Sequence, residues 1–349
     1  MRRSSLGWAA TGLLMLIAAL LLSQARSWNS TAGATFHGVD PSGHKIRVHL
    51  FGLVGGNEAP AWQGWLFQDG TGLLRDEYST NREVWPISWT DPKSTNPVVI
   101  EARPIGDAVP PSRLAILFGP GATALVTREF SHRVLHRRRG FQFNGWGCIK
   151  EYRGEFPDLR GGDALTRAVL REIESRCDSE ARHFTGGILS HTREAWRAEW
   201  PATMGWWTLE EQWQVRLLSE DIASVAVWSY PQTGGNGNPT RVASLNWIRD
   251  GDHLRELDLS DLFRRDLDWE TALRRRCIPK LDKAHAFDPT GVMDPRIPLA
   301  VFTMSPEGLQ LYFNPYTIGS GAEGFFVIHF EEAELADLLR PQGPMARRH

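Results

Sequence analysis

Short runs of alternating apolar and polar residues, separated by turn-forming residues, constrain the fold of this chain most strongly. In KIRVHLFGLV, Ile46, Val48 and Leu50 alternate with other residues, which is typical of a strand with one buried face. The runs AWQGWLF, VWPISW, PVVIEA and RLAILF follow, with Gly-, Pro- and Asp-rich turns between them. This spacing predicts a small all-β domain over residues 27–126, either a barrel or a sandwich.

Strand patterns continue in the second half, in EQWQVRLLSEDIASVAVWSY, RVASLNWI, IPLAVFTM, GLQLYF and GFFVIHF. The last run is apolar on both faces, which predicts a central strand. Together with three helical patterns, these runs predict an α+β domain over residues 127–349. We expect a mostly antiparallel sheet covered by two or three helices.

Three segments have the helical period. The first runs from Asp163, a suitable N-cap, to Phe184, with an apolar stripe at four-residue spacing. The second is DWETALRRRC, which Pro279 is expected to end. The third is FEEAELADLLR, whose leucines are expected to face inward. The stripe residues are Leu165, Val169, Ile173 and Cys177 in the first helix, Trp269, Leu273 and Cys277 in the second, and Leu335, Leu338 and Leu339 in the third.

Residues 1–26 have the pattern of a targeting segment. Arg2 and Arg3 precede residues 6–22, which carry no charge, and the following SQA has the small-x-small form of a cleavage site. An apolar run of about 17 residues lies between a signal-peptide core and a full membrane span. The pattern predicts a cleaved signal peptide or an inner-membrane anchor, with the remainder in the periplasm or cell envelope. A buried helix of a soluble protein is the alternative.

Charge and cysteine content narrow the partners and the redox chemistry. The formal net charge of −2 gives no global signal for nucleic acid, and no nucleic-acid partner is predicted. In an oxidising compartment, three cysteines allow one disulfide and leave one thiol. Cys177 and Cys277 both lie on apolar helical stripes and are the predicted pair. Separate buried thiols are the alternative.

The stretch REFSHRVLHRRRGF contains five arginines and two histidines in fourteen residues. His132 and His136 would align on a helix as metal ligands, but no third ligand lies nearby in sequence. Their alternation with Phe130 and Val134 fits a strand equally well. A basic patch for a membrane or an anionic polymer and a solvated strand edge are the other interpretations.

The sequence carries no motif of a known reaction. Ser320 has the wrong glycine spacing for a nucleophile elbow, and no phosphate-binding loop is present. No metal ligands or cofactors are predicted. Paired carboxylates that hydrolyse glycans have no fixed sequence spacing, so Asp250, Asp252 and Glu323 remain candidates beside the simpler interpretation of surface charges.

The segment YFNPYTIGSGAEGFFVIHF joins two strands through a Pro-containing corner and a Gly-rich bend. In the structural interpretation, the ring of Tyr316 packs against the sheet and a positive φ occurs at Gly321 or Gly324. In the functional interpretation, the bend and the TGGNGN loop form one rim of a binding surface. The predicted binding residues are Thr233, Gly234, Gly235, Asn236, Asn314, Tyr316, Ser320 and Glu323.

The motif order over residues 150–340 resembles an extracytoplasmic domain of unknown function in RsiV-type anti-sigma factors and PdaC-type peptidoglycan deacetylases. EFPDL, the helix over 163–184, TGGN, DLF and the Asn-Pro-Tyr corner carry the resemblance. It implies a secreted or membrane-anchored domain, and RsiV-type members bind lysozyme. Only five residues precede Leu6, so the cytoplasmic sigma-binding segment of that family has no counterpart and anti-sigma activity is not expected.

Three functions follow from these observations. The first is an exported, non-catalytic envelope protein that binds a cell-wall fragment or a lysozyme-like protein. The second is an enzyme that modifies peptidoglycan or another envelope polymer. The third is an assembly protein that bridges envelope components.

Overall fold

The structure of the protein is a computed structural model that describes most of the chain after residue 26. The described residues are 27–29, 34–43, 45–53, 61–68, 72–79, 87–90, 99–105, 113–117, 123–143, 146–186, 204–232, 240–251, 253–321 and 324–347. The predicted targeting segment lies outside them. Within the described ranges, no helix combines the length and apolar character needed to cross a membrane.

Most strands belong to one large sheet. Its strands are β1 (Ser27–Asn29), β2 (Ala34–Val39), β3 (Lys45–Leu53), β4 (Ala61–Gln68), β5 (Gly72–Ser79), β6 (Ile87–Thr90), β7 (Val99–Ile105), β8 (Arg113–Leu117), β9 (Thr123–Phe143), β10 (Trp146–Pro157), β11 (Met204–Leu218), β12 (Ile222–Gln232), β13 (Arg241–Asp250) and β14 (His253–Glu256). Their spatial order is β14-β13-β12-β11-β10-β9-β2-β3-β4-β5, while β1 and β8 also pair with β9, and β7 and β6 continue from β8. Among these strands, β10 and β11 pair in parallel and the other neighbours pair antiparallel.

A second, smaller sheet has the order β15 (Phe302–Ser305), β16 (Gly308–Phe313) and β17 (Phe326–Glu331). The described residues also form three α-helices: α1 (Ala164–Thr185), α2 (Trp269–Lys283) and α3 (Glu332–Leu335). Short 3₁₀ helices cover Leu259–Leu262, Pro289–Met293 and Pro344–Arg347. The predicted α+β class, with mostly antiparallel sheets covered by helices, is confirmed.

Helix α1 provides the crossover that the parallel pair β10–β11 requires. Its start is confirmed, because the Asp163 side chain accepts a hydrogen bond from the Thr166 backbone N–H at 2.8 Å. The predicted stripe is buried against the large sheet and forms one hydrophobic cluster with it. The local pattern therefore predicted both the start of α1 and the face that packs on the sheet.

The other two helices depart from the predicted bounds. Pro279 does not end α2, which continues through it to Lys283. Pro279 removes one backbone hydrogen bond, but the next turn is held by the fully buried Leu281 and by the Ala284 N–H donating to the Lys280 carbonyl at 3.0 Å. Helix α3 is a single turn, followed by further turns that still bury its three predicted leucines.

Strand β9 contains the arginine-rich stretch, and its position corrects the expectation of a solvated edge. It pairs with β10 on one side and with β1, β2 and β8 on the other. Two of its five arginines meet acidic residues of α1, since Arg133 pairs with Glu174 and Arg137 lies 3.9 Å from Asp178. These carboxylates allow a basic strand to occupy the interior of the sheet. The predicted domain division after residue 126 falls within β9, and that division stays a prediction.

Strand β17 corrects the expectation that GFFVIHF is a central strand, because it lies at the edge of the small sheet. One face, with Phe326, Ile328 and Phe330, is buried in the cluster that includes α2. On the other face, Val327 is partly buried and packs against a cluster with Trp228. Among the described strands, β17 pairs with β16 alone, so its apolar character on both faces reflects two packing layers.

Candidate functional site

The corner after β16 has the geometry of a tight turn. The Thr317 backbone N–H donates to the Asn314 carbonyl at 3.0 Å, which closes a four-residue turn with Pro315 in its second position. Tyr316, in the third position, has a φ of 66°. Proline followed by a residue with positive φ is the arrangement of a type II turn, in which Gly or Asn is favoured third. A tyrosine there holds a costly backbone conformation.

Asn314 joins this corner to the start of β13. Its Nδ2 donates to the Val242 carbonyl at 2.9 Å, and its Oδ1 accepts from the Val242 backbone N–H at 2.7 Å. The TGGNGN loop, which precedes β13 in the sequence, lies outside the described residues. The joint surface of corner and loop therefore stays a prediction. Of the predicted binding residues, Thr233, Gly234, Gly235, Asn236 and Glu323 lie outside the described residues.

The structural interpretation of Tyr316 is wrong, because its side chain points into solvent. It is 69% exposed and does not pack on the sheet. A Cβ added at Gly321 would overlap the Tyr316 ring, so the glycine leaves room for the ring. Gly324 has a φ of 76°, which confirms the expected positive φ. The buried Ile318 anchors the bend between these positions.

We call Asn314, Tyr316, Ser320 and Gly321 the corner rim. Tyr316 and Ser320 are exposed on it, while Asn314 fixes its position. The rim presents the Tyr316 ring and the Ser320 hydroxyl. The bend that carries them is held by the hydrogen bonds of Asn314 and by the buried Ile318. Groups presented from a bend on a rigid scaffold are typical of a recognition surface.

Sequence reasoning missed a chain of buried polar side chains across β3, β2, β9 and β10. The Thr35 Oγ1 lies 3.0 Å from His49 Nδ1 and 2.8 Å from His132 Nε2. His132 Nδ1 lies 3.2 Å from Glu155 Oε1, and the Arg153 guanidinium donates to Glu155 Oε2 at 2.6 Å. We call these five residues the buried polar chain. A polar residue in an apolar alternation, as at His132 between Phe130 and Val134, was the signal for it.

The order hydroxyl, imidazole, carboxylate matches that of a hydrolase triad. Access decides its role, since Thr35, His132 and Glu155 are 1%, 2% and 0% exposed. No substrate carbonyl reaches Thr35 in this state. Burial, with the nearby Arg216 and Arg47 charges, holds the pKa of His49 well below its usual value. The buried polar chain therefore ties four strands together.

Cys177 and Cys277 are free, buried thiols in the structure. They lie in two different hydrophobic clusters, Cys177 on the buried face of α1 and Cys277 on the face of α2 that packs with the small sheet. The predicted pairing is thus not formed, and separate buried thiols are what the structure shows. Burial raises the pKa of Cys177 well above its usual value and that of Cys277 to about 12, so both thiols are held in the unreactive neutral form.

The metal interpretation of the basic stretch finds no support among the described residues, where no group of three His, Cys, Asp or Glu side chains could hold an ion. His136 instead lies 2.7 Å from Glu151 on the neighbouring strand β10.

No family model and no curated protein matches this chain. Two solved structures of DUF3298 family proteins are similar to it. The protein from Bacteroides fragilis NCTC 9343 is 13% identical with a TM-score of 0.44, over 63% of this chain and 97% of that one. The protein from Pseudomonas aeruginosa PAO1 is 15% identical with a TM-score of 0.36, over 61% of this chain and 95% of that one. The interpretation of the site rests on its own geometry.

Proposed function

We propose that this chain is an exported, non-catalytic cell-envelope protein that binds a cell-wall component through the corner rim. The basic and then apolar N-terminal segment supports export. The motif order that resembles the RsiV-type and PdaC-type domains supports an envelope setting. The domain would act as a receptor or anchor, held at the membrane or released into the periplasm.

One observation carries the binding role. Tyr316 is 69% exposed on a backbone whose φ of 66° disfavours any residue with a side chain. An exposed ring contributes little to packing, so folding alone does not explain the cost. Strained positions concentrate where a side chain must be held in one direction for a ligand. The ring offers a flat apolar face, and its hydroxyl offers a hydrogen bond.

Co-sedimentation with purified, insoluble peptidoglycan tests this role. The full chain is expected to sediment with the wall material, and Tyr316→Ala is expected to bind at least about tenfold more weakly, which corresponds to about 1.4 kcal/mol. Tyr316→Phe keeps the ring and is expected to retain most of the binding. Phe287→Ala is the matched control, because Phe287 is another exposed aromatic side chain, at 89%, in the turn after α2. Equal binding by Tyr316→Ala and the parent would contradict the proposal.

A lysozyme-like protein is the second candidate partner, since tyrosine is enriched at the energetic centres of protein interfaces. The same variants tested against soluble lysozyme separate the two partners. If Tyr316→Ala lost lysozyme binding but still sedimented with peptidoglycan as the parent does, the partner of the rim would be a protein.

The enzymatic alternative is tested on the same material. Incubation of the chain with peptidoglycan is expected to release no soluble fragments. If the parent released soluble fragments and Glu323→Gln did not, the role of the chain would be catalytic.

A further inference from the structure

A cleft of about 380 Å³ lies where the large sheet meets the hairpin between β15 and β16. Four strands of the large sheet and the hairpin supply its lining, which mixes charged, polar and apolar side chains. The lining residues are His37, Gly38, Val39, Ile46, Arg47, Glu129, Arg216, Ser305, Pro306 and Glu307. Because these residues come from five separate segments, no local sequence motif predicts the cleft.

Two guanidinium groups line the cleft. Arg216 is only 4% exposed, and its Nη2 donates to Gln310 Oε1 at 2.8 Å. Arg47 Nη1 donates to the Arg216 carbonyl at 2.9 Å and to the Val215 carbonyl at 3.3 Å. These contacts hold both guanidiniums in fixed positions, which is the arrangement that recognises a carboxylate at low entropic cost.

Two carboxylates line the cleft as well. Glu129 Oε2 lies 3.4 Å from Arg47 Nη2 and 3.8 Å from His37 Nδ1, and its side chain is a quarter exposed. Glu307 lies at the tip of the hairpin beside Pro306 and is half-buried. The lining therefore carries charges of both signs at close range, and Arg47 and Glu129 pair with each other.

The charges of the lining select the class of ligand. A simple anion bound at Arg216 would lie close to two carboxylates. A simple cation bound at Glu129 and Glu307 would lie close to two guanidiniums. A small molecule that carries both charges places each of them against a lining group of opposite sign, so neither charge is buried without a partner. The volume lies near the lower end of the range for small-molecule sites, which favours a compact ligand over a polymer.

We propose that this cleft binds a small zwitterion, an amino acid or a short peptide with a free ammonium and a free carboxylate. Its carboxylate is placed at Arg216 and the Ser305 hydroxyl, and its ammonium at Glu129 and Glu307. The side chain of the ligand lies against the apolar part of the lining, at Val39, Ile46 and Pro306.

The cleft and the corner rim are separate sites. Glu307 precedes β16 and Asn314 follows it, so they lie at opposite ends of that six-residue strand. At the usual rise of a strand, this separation is roughly 17–20 Å. The zwitterion site can therefore fail while the proposed function stands, and the reverse also holds.

Isothermal titration of the full chain with alanyl-alanine tests the site. Alanyl-alanine is expected to bind, whereas N-acetyl-alanyl-alanine, which lacks the ammonium, and alanyl-alanine amide, which lacks the carboxylate, are each expected to bind at least about tenfold more weakly, or 1.4 kcal/mol. Free alanine, run in parallel, distinguishes an amino-acid site from a peptide site. Equal binding of either blocked peptide, or no binding of both alanine and alanyl-alanine, would overturn the proposal.

Variants locate the binding in the cleft. Glu307→Gln keeps the size of the side chain and is expected to weaken alanyl-alanine binding about tenfold while the binding of the N-acetyl peptide stays unchanged. Asp337→Asn is the matched control, because Asp337 is an exposed carboxylate that pairs with Arg276 away from the cleft. If Glu307→Gln binds as the parent does, and Arg216→Lys, folded by circular dichroism, also does, the assignment to this cleft is wrong.

Discussion

The buried polar chain and the corner rim carry opposite combinations of chemistry and access. Thr35, His132 and Glu155 have the connectivity of a hydrolytic site but are closed to solvent. Tyr316 has no such connectivity, yet it is held exposed at a positive φ. The first arrangement strengthens the sheet and the second weakens the local backbone. Function in this molecule is therefore sought at the strained and exposed corner rim, and not at the buried polar chain, which is closed to solvent.

Removal of Glu155 is expected to have the largest effect on stability. In Glu155→Ala, the guanidinium of Arg153 loses its carboxylate inside the protein, because Arg153 is buried beside Glu155. Breaking a buried pair in this way costs about 3–5 kcal/mol of unfolding free energy. Urea unfolding measures the loss.

Glu174→Ala provides the comparison, since Glu174 pairs with Arg133 in a partly exposed position. Exposed pairs contribute about 0–1 kcal/mol. If Glu155→Ala and Glu174→Ala lowered stability equally, the buried polar chain would not be the structural element described above.

The second prediction concerns pH and His49. Burial lowers the pKa of His49 in the folded state below the usual value of 6.5, so the unfolded chain binds a proton first as the pH falls. The stability that neutral His49 contributes is present above pH 6.5 and decreases below it, by at most about 1.4 kcal/mol per pH unit. Unfolding free energies of the parent and His49→Gln, measured between pH 5 and 7.5 at roughly half-unit steps, give the slope.

The difference between the two proteins isolates His49 from other groups. Burial raises the pKa of Glu211, which gives a stability change of the opposite sign at acidic pH, but this contribution is common to both proteins. A parent and a variant whose unfolding free energies run parallel from neutral to acidic pH would show that His49 is not the titrating group.

The third and smaller effect separates two glycines of the bend. Gly324→Ala has open space for its Cβ but a φ of 76°, so it is expected to lose about 1 kcal/mol through backbone strain alone. Gly321→Ala is expected to displace the Tyr316 ring, since the added Cβ would overlap it. Wall co-sedimentation should therefore fall further in Gly321→Ala than in Gly324→Ala. The reverse order would remove the link between Gly321 and binding.

Local patterns predicted what depends on local contacts. The stripe and cap of α1 lie within one helix, and its start at Asp163 followed directly from them. The placement of β9 depends on Glu174 and Asp178, which follow Arg133 and Arg137 by 41 residues each. No window of sequence contains both partners, so the sequence left a solvated strand edge among the open interpretations.

The candidate sites divide in the same way. The corner was found from its Pro and Gly residues, but the exposed ring was not, because the sign of φ at Tyr316 depends on how the turn closes. Thr35 and His132, which meet in the buried polar chain, are 97 residues apart. The cleft proposed to bind a zwitterion is lined by residues from five segments, so no single stretch of sequence predicts it.

Tyr316→Asn tests the central claim, that stability is given up at the corner rim to hold a binding side chain. Asparagine tolerates a positive φ better than tyrosine, so the unfolding free energy is expected to rise by about 0.5–1 kcal/mol. Binding to peptidoglycan in the same samples is expected to fall at least about tenfold. A loss of about 3 kcal/mol or more, as for a buried aromatic ring, or unchanged binding in a stabilised variant, would contradict it.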